Sequence, residues 1–566
     1  MTTFRVWAPE RERVDLLLDE HVIPMREENG WWSANATGRD YAFSLDGGPP
    51  RPDPRSPWQP DGVDGRSRVY DHGAFTWTDQ QWHGVPLPGA ALYELHVGTF
   101  TREGTFDAAI QRLDHLAGLG VSAIELLPCN AFPGTWGWGY DGVQWFAVHD
   151  PYGGPDGLKR LVDACHARGL GVVMDVVYNH LGPVGNYLPE FGPYLTDEHA
   201  TPWGPAVNLD RPGSDEVRRF IIDNALMWLR DYHIDGLRID AVHALVDQRA
   251  TTLLEELVSE IEALGALTGK PLWAVAESDL NDPRLVEPRE AGGLGLHGQW
   301  CDDVHHALHA LLTGEQTGYY ADFGSFETFS KAMTNAFVHD GTFSSFRGRT
   351  HGRPLPPTAP GHRMVVYLQN HDQVGNRALG DRMDLSPGLA RVGAALYLLS
   401  PYTPMIFMGE EYGAQTPWRY FSNYGDDHGD LVREGRRREF ARHGWRTDDI
   451  PDPEDPVTFE ASKLDWKVDE DLLAFYSSLL ALRRSRTDLS DGRRDHLSVT
   501  WDDDARWVVV RRGQVAIACN LAADRQSVPL PGTPKAMLLT SAEGWVFGDG
   551  YVQAGGESVV VLELAS

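Results

Sequence analysis

The sequence predicts a multidomain chain: an N-terminal β-sandwich, a central (β/α)8 TIM barrel with insertions, and a C-terminal β-sandwich. Three observations predict it. Short strand-like runs separated by turn residues occupy both ends of the 566-residue chain. Between them, apolar runs of strand length alternate with amphipathic helical segments. A Pro/Gly cluster, Gly84-Val85-Pro86-Leu87-Pro88-Gly89, marks the first change of pattern. The expected domains are 1–88, 89–487 and 488–566.

The first domain is read from Phe4-Arg5-Val6-Trp7 and Val14-Asp15-Leu16-Leu17-Leu18, with turn-rich sequence between Gly47 and Pro60. From residue 90 the strands are Ala91–Val97, Val121–Leu127, Gly171–Val177, Asp235–Asp240, Leu272–Glu277, a weak one near Gly298-Gln299-Trp300, Met364–Gln369 and Thr403–Met408. Helices fall between them. One opens at Thr105 with Phe106, Ile110, Leu113 and Leu116 at helical spacing. Another presents Leu158, Leu161, Val162 and Cys165, and stops at Gly169. Nearly all-apolar strands are buried on both faces, which parallel pairing requires. The stretch 180–213 is expected to be a short, irregular insertion rich in Gly and Pro. In the tail, Trp507–Val510, Val515–Ala518 and Val559–Leu562 alternate again as strands.

The net charge of −31 disfavours nucleic acid and anionic membrane surfaces as partners. The longest weakly charged stretch, Val392–Gly409, is broken by Pro401 and Pro404, so it reads as a buried helix and strand and not as a membrane span. Met1–Pro9 lacks the charged and apolar regions of a secretory signal. Cys129, Cys165, Cys301 and Cys519 are far apart and read as free thiols. A cytoplasmic location is the expectation.

Barrel strands aim their C-terminal ends into one mouth. Here those ends bear Asp175 with Asn179-His180, then Arg238 and Asp240, then Glu277, then Asn370-His371-Asp372. A single aspartate after a strand is usually a helix cap. Several carboxylates beside Arg and His are harder to explain so, because clustering like charges is costly unless they are used. Two carboxyl groups flanking a glycosidic bond suffice to cleave it, one as nucleophile and one as acid. Arg238 shares a strand face with Asp240 and keeps it ionised. The apolar run Trp273-Ala274-Val275-Ala276 favours a protonated Glu277 by desolvation. The chemistry needs no cofactor and no metal. His305 and His309 share a helix face, yet Leu308, Leu311 and Leu312 argue for ordinary packing.

Asp175–His180, Gly236–His243, Ala276-Glu277-Ser278 and Gln369–Asp372 resemble the four signature regions of the α-amylase family of glycoside hydrolases, in order and on the expected strands. The resemblance implies Asp240 as nucleophile, Glu277 as general acid/base and Asp372 as transition-state stabiliser. It implies glucose contacts from His180, Arg238 and His371, from the pair Tyr140-Asp141, and from His243. The N-terminal domain would be immunoglobulin-like, as in carbohydrate-binding modules. Loops such as Trp138–Val143, Val177–Pro183 and Met408–Gly413 resemble a branch that cuts the α-1,4 bond next to a terminal trehalose, releasing trehalose and a maltooligosaccharide. The implied substrate is an α-glucan oligosaccharide capped with trehalose. The implied functional partner, not necessarily a physical one, is the maltooligosyl trehalose synthase that makes it. Three alternatives stay open: a glycogen branching or debranching enzyme, a general α-amylase, and a non-catalytic glycan-binding protein. Among the aromatic residues, Trp138 and Trp203 are the candidates for stacking on a sugar ring.

Overall fold

The computed structural model describes residues 1–442, 450–548 and 550–565. The expected C-terminal limit, Ser566, lies outside the described residues.

Eight parallel strands close into a barrel: Leu92–Leu95, Ala123–Leu126, Gly171–Val176, Gly236–Ile239, Trp273–Ala276, Gly298–Trp300, Met364–Tyr367 and Thr403–Phe407. They pair in that order, and strand eight returns to strand one. Each lies inside a run read from the sequence. Side chains alternate between the two faces of a strand, so every second residue enters the barrel. Leu92, Ala123, Val173, Trp273, Val275, Trp300, Val365, Tyr367 and Met405 form one buried cluster there. The residues between them, such as Tyr93, Ile124, Met174 and Ile239, join the larger core under the helices.

The same alternation puts Glu94, Glu125, Asp175 and Arg238 two residues beyond Leu92, Ala123, Val173 and Gly236. The apolar fill is therefore topped by a polar layer at the strands' C-terminal ends. The segment Val392–Gly409 divides as expected into a helix, Pro387–Leu398, and strand eight.

At the N-terminus, Thr2–Trp7, Trp31–Ala36 and Arg26–Glu28 make one antiparallel sheet, and Val14–Leu18 is paired between His21–Pro24 and Asp40–Leu45 in a second. At the C-terminus, Val515–Asn520 is buried along its whole length between Trp507–Arg512 and Ser558–Leu564. Gln526–Pro529, Tyr551–Ala554 and Val546–Gly548 form a smaller sheet beside it. All four cysteines are buried and unpaired. Among the described residues, no helix is long and apolar enough to cross a membrane.

One expectation needs correction. The 180–213 insertion is not irregular throughout. It holds a helical turn, Leu188–Phe191, and an antiparallel hairpin, Leu195–Thr201 with Gly204–Val207. The Thr201 hydroxyl accepts a bond from the Trp203 N–H and donates to the Gly204 carbonyl, and Gly204 takes a positive φ of 117°. Side chain and glycine together close a turn that the polar composition of the arms had masked.

Candidate active site

Strand four supplies the organising charge. Arg238 is fully buried beneath the mouth. Its Nη1 donates to Asp175 at 2.9 and 3.0 Å and to Asp240 Oδ1 at 2.7 Å. The guanidinium also lies 4.3 Å from the Trp300 ring centroid, which supports the charge without competing for its protons. Asp240 Oδ2 accepts a 2.8 Å bond from Asn179. Burial works against an ionised Asp240, yet Arg238, His180 and Asn179 outweigh it and hold its pKa below the ordinary value.

Glu277 receives the opposite treatment. It follows strand five directly, and its N–H bonds to Ile239 at 2.9 Å. Its Oε2 accepts a 2.6 Å bond from the Ala241 N–H and lies 3.9 Å from Arg238 Nη2. Ala241 has φ +39°, a strained left-handed conformation that aims this N–H sideways just after Asp240. Desolvation, reinforced by Asp240 and Asp372 and opposed by Arg238, pushes Glu277 up to about 8. Two carboxyl groups within 4 Å of one guanidinium are thus driven to opposite protonation states. With Oε2 occupied as an acceptor, the proton of Glu277 belongs on Oε1.

A second line of contacts reaches the site from strands one and seven. His371 Nδ1 lies 2.6 Å from Glu94 Oε1, and its backbone N–H donates to Glu94 Oε2 at 3.0 Å. Its Nε2 lies 2.8 Å from the Tyr140 hydroxyl and 3.4 Å from Asp372 Oδ2. The Tyr140 hydroxyl donates to Asp175 at 2.6 Å, and the Tyr140 ring stacks on His371. Burial lowers the imidazole's pKa, but Asp372 and Glu94 raise it more, to about 9. Desolvation lifts buried Asp175 to about 6 against the pull of Arg238.

The predicted residues mostly converge. His180 lies 2.5 Å from the Asn179 side chain and is covered by Trp203, with ring centroids 4.7 Å apart and planes 9° from parallel. Asp141 is held by the Tyr424 hydroxyl. Trp138 is walled in, stacked on Trp418 with its Nε1 on the Arg419 carbonyl, so it packs the site from behind. Trp203 is 48% exposed and free to meet a ligand. His243 is exposed on the turn Val242–Ala244, whose other two residues are buried. His305 is consumed by the Leu368 carbonyl and Tyr320, and His309 by Glu315 and stacking on Tyr320.

Sequence reasoning missed Glu94 and Asp302, the latter half-buried just past strand six, where it accepts a bond from the Tyr367 hydroxyl. A signal for Glu94 was present: a carboxylate at an inward position of an otherwise apolar strand.

Comparison with known proteins sharpens this picture. The family described as the α-amylase catalytic domain matches residues 70–195, and a domain of unknown function matches residues 492–561. The malto-oligosyltrehalose trehalohydrolase of Arthrobacter ramosus is 56% identical over 85% of this chain and 87% of its own length. That of Mycobacterium tuberculosis (strain ATCC 25618 / H37Rv) is 50% identical over the full length of both chains. The crystal structure of a putative α-amylase from Salmonella typhimurium superposes with a TM-score of 0.90 at 37% identity, covering 99% of this chain and 97% of that one.

Proposed function

The chain belongs to the malto-oligosyltrehalose trehalohydrolases, glycoside hydrolases of the α-amylase family, and from that premise we propose how its site works. It hydrolyses the α-1,4-glucosidic bond next to the terminal trehalose of a maltooligosyl trehalose, releasing trehalose and a maltooligosaccharide. The observation that carries the mechanism is the shared guanidinium of Arg238, with an ionised Asp240 at 2.7 Å and a protonated Glu277 at 3.9 Å. An ionised carboxylate beside a protonated carboxylic acid is the pairing a retaining reaction uses, the first as nucleophile and the second as acid and then base.

In the first step the Asp240 carboxylate attacks the anomeric carbon. The bond to the glycosidic oxygen breaks, its electron pair stays on that oxygen, and the Oε1 proton of Glu277 is transferred to it. Trehalose leaves, and the maltooligosyl unit remains on Asp240 as an ester. In the second step ionised Glu277 takes a proton from water, the water oxygen attacks the anomeric carbon, and Asp240 is released. Asp372, 39% exposed beside His371, faces the developing positive charge and stabilises it. His180, His371, Tyr140, Asp141 and Arg238 bind and orient the sugar on the non-reducing side of the bond. Exposed His243 contacts the next sugar at the rim. The synthase that caps the glucan with trehalose is the functional partner.

The test is product analysis with three substrates: maltohexaose, a trehalose-capped maltooligosaccharide and a branched glucan. Trehalose release from the capped chain should exceed cleavage of the plain chain at least about tenfold. Equal cutting of both linear chains would return the general α-amylase reading. Action confined to α-1,6 bonds would return the branching or debranching reading, and no turnover the binding-protein reading.

A further inference from the structure

We propose that Glu94, on strand one, is a positioning residue for the reaction: it fixes His371 as a doubly protonated imidazolium and orients it toward the sugar and Asp372. The inference rests on the functional reading above.

The argument begins with proton counting. The Tyr140 hydroxyl has one proton, and its 2.6 Å contact to Asp175 Oδ2 takes it. Toward His371 Nε2, at 2.8 Å, the same oxygen must accept, so Nε2 carries a proton. Nδ1 faces Glu94 Oε1 at 2.6 Å, a distance typical of a charge-assisted bond. With Glu94 as a carboxylate, Nδ1 carries a proton too. Glu94 Oε2 is occupied by the His371 backbone N–H at 3.0 Å. The two oxygens therefore grip both the ring and the main chain of one residue. The side chains of Glu94 and His371 are each 1% exposed, so neither water nor rotation relaxes the grip.

The charged groups facing His371 favour this assignment on balance. Glu94 and Asp372 favour the cation, and Arg238 opposes it. Asp175 meets His371 through Tyr140. Glu125 is Glu94's register partner on strand two, and burial keeps its carboxyl neutral. Burial also keeps His96 neutral. Without Glu94, a neutral His371 would have only one N–H to place. The Tyr140 proton would lose its fixed direction, and with it the arrangement of Asp175 around Arg238.

The experiment compares wild type with Glu94→Gln and Glu94→Asp. Two readouts are needed: the titration of His371, by NMR of histidine-labelled protein assigned through its loss in His371→Asn, and kcat and KM on the trehalose-capped chain. Wild type should keep both ring protons of His371 at pH 8. Glu94→Gln retains shape but not charge, so His371 should titrate near or below its ordinary value, with kcat down about 10- to 100-fold and KM within about threefold. Glu94→Asp keeps the charge and should retain the imidazolium with a smaller loss of kcat. An unchanged His371 titration in Glu94→Gln overturns the proposal. So do equal losses of kcat in the two variants, which would mean a purely structural role. The titration needs no substrate, so a wild type inert toward the capped chain would overturn the functional reading alone. If Glu94→Gln does not fold, Glu94→Asp still decides: a neutral His371 in it overturns the assignment.

Discussion

The mouth and the base of the barrel are built from the same parts. Each has a buried histidine gripped by two carboxyl groups and flanked by aromatic rings. At the base, His166 lies 2.8 Å from Asp79 and 3.0 Å from Asp235, and stacks on Trp82. Asp235 also accepts from Trp82 Nε1 and the Val172 N–H, while Asp79 reaches His233, which stacks on Trp77. Every ring nitrogen of His166 is used, and Asp79 and Asp235 are at most 4% exposed. This network fastens the segment between the N-terminal sheets and the barrel to the barrel's underside. At the mouth the bonding is left incomplete. Arg238 Nε and Nη2 are buried without hydrogen-bond partners, and Glu277 and Asp372 are 18% and 39% exposed. Spare bonding capacity and an opening to solvent, not the kinds of residue, separate a reacting site from a staple.

The largest expected effect breaks the mouth alone. Asp240→Ala removes the proposed nucleophile and leaves Arg238 short of one partner; kcat should fall at least about 10^4-fold while the base keeps the fold intact. Steady-state rates with circular dichroism check both halves. In wild type the freed reducing end should first appear as the α-anomer, and an initial β-anomer would exclude the nucleophile role of Asp240.

Glu277→Gln comes next, with a loss of about 10^3-fold. Its signature is in the pH profile. The acid must be protonated, so wild-type kcat/KM should decline as pH rises through about 8, the value to which burial lifts Glu277. The residual activity of the Gln variant should lack that limb. A limb that persists would assign it to another group.

Breaking the base should do the reverse. His166→Asn leaves Asp79 and Asp235 facing each other in a buried space, at a cost of about 3–5 kcal/mol. Turnover per folded molecule should stay near wild type. Burial lowers the pKa of His166, but Asp235 and Asp79 raise it further, above the ordinary value. The stability it contributes is thus fully present below the ordinary imidazole range and is lost as pH rises through the raised value. The gap between wild type and His166→Asn in urea unfolding should therefore narrow toward alkaline pH. A gap that widens would refute the charge on His166.

Much of this was legible in the chain and some was not, for physical reasons. Barrel strands have to be apolar on both faces, so all eight were visible as runs, even the three-residue Gly298–Trp300. Asp240, Glu277 and Asp372 sit just past such runs, where polarity is conspicuous. Glu94 and Glu125 lie within them, where one inward carboxylate resembles a strand's solvent face until the barrel closes around it. The base network joins Asp79, His166, His233 and Asp235 across more than 150 residues, and no local pattern announces it. The 195–207 hairpin escaped because its arms are half-exposed and its register shifts between Thr196 and Ala200.

That hairpin carries the smallest expected effect. Its two-residue tip, Pro202-Trp203, brings the indole flat against His180, which touches the mouth through Asn179 and Asp240. Trp203 contributes no proton and no charge; it can only offer a face and a boundary. Trp203→Ala should therefore raise KM for the capped chain about five- to tenfold, matching the ~1 kcal/mol of an aromatic contact, with little change in kcat. The arms of the hairpin do not depend on the indole, because the turn is closed by Thr201 and Gly204. A fall in kcat with KM unchanged would show instead that the indole acts through His180 on the reacting groups, making the hairpin part of the mouth's charge network and not its wall.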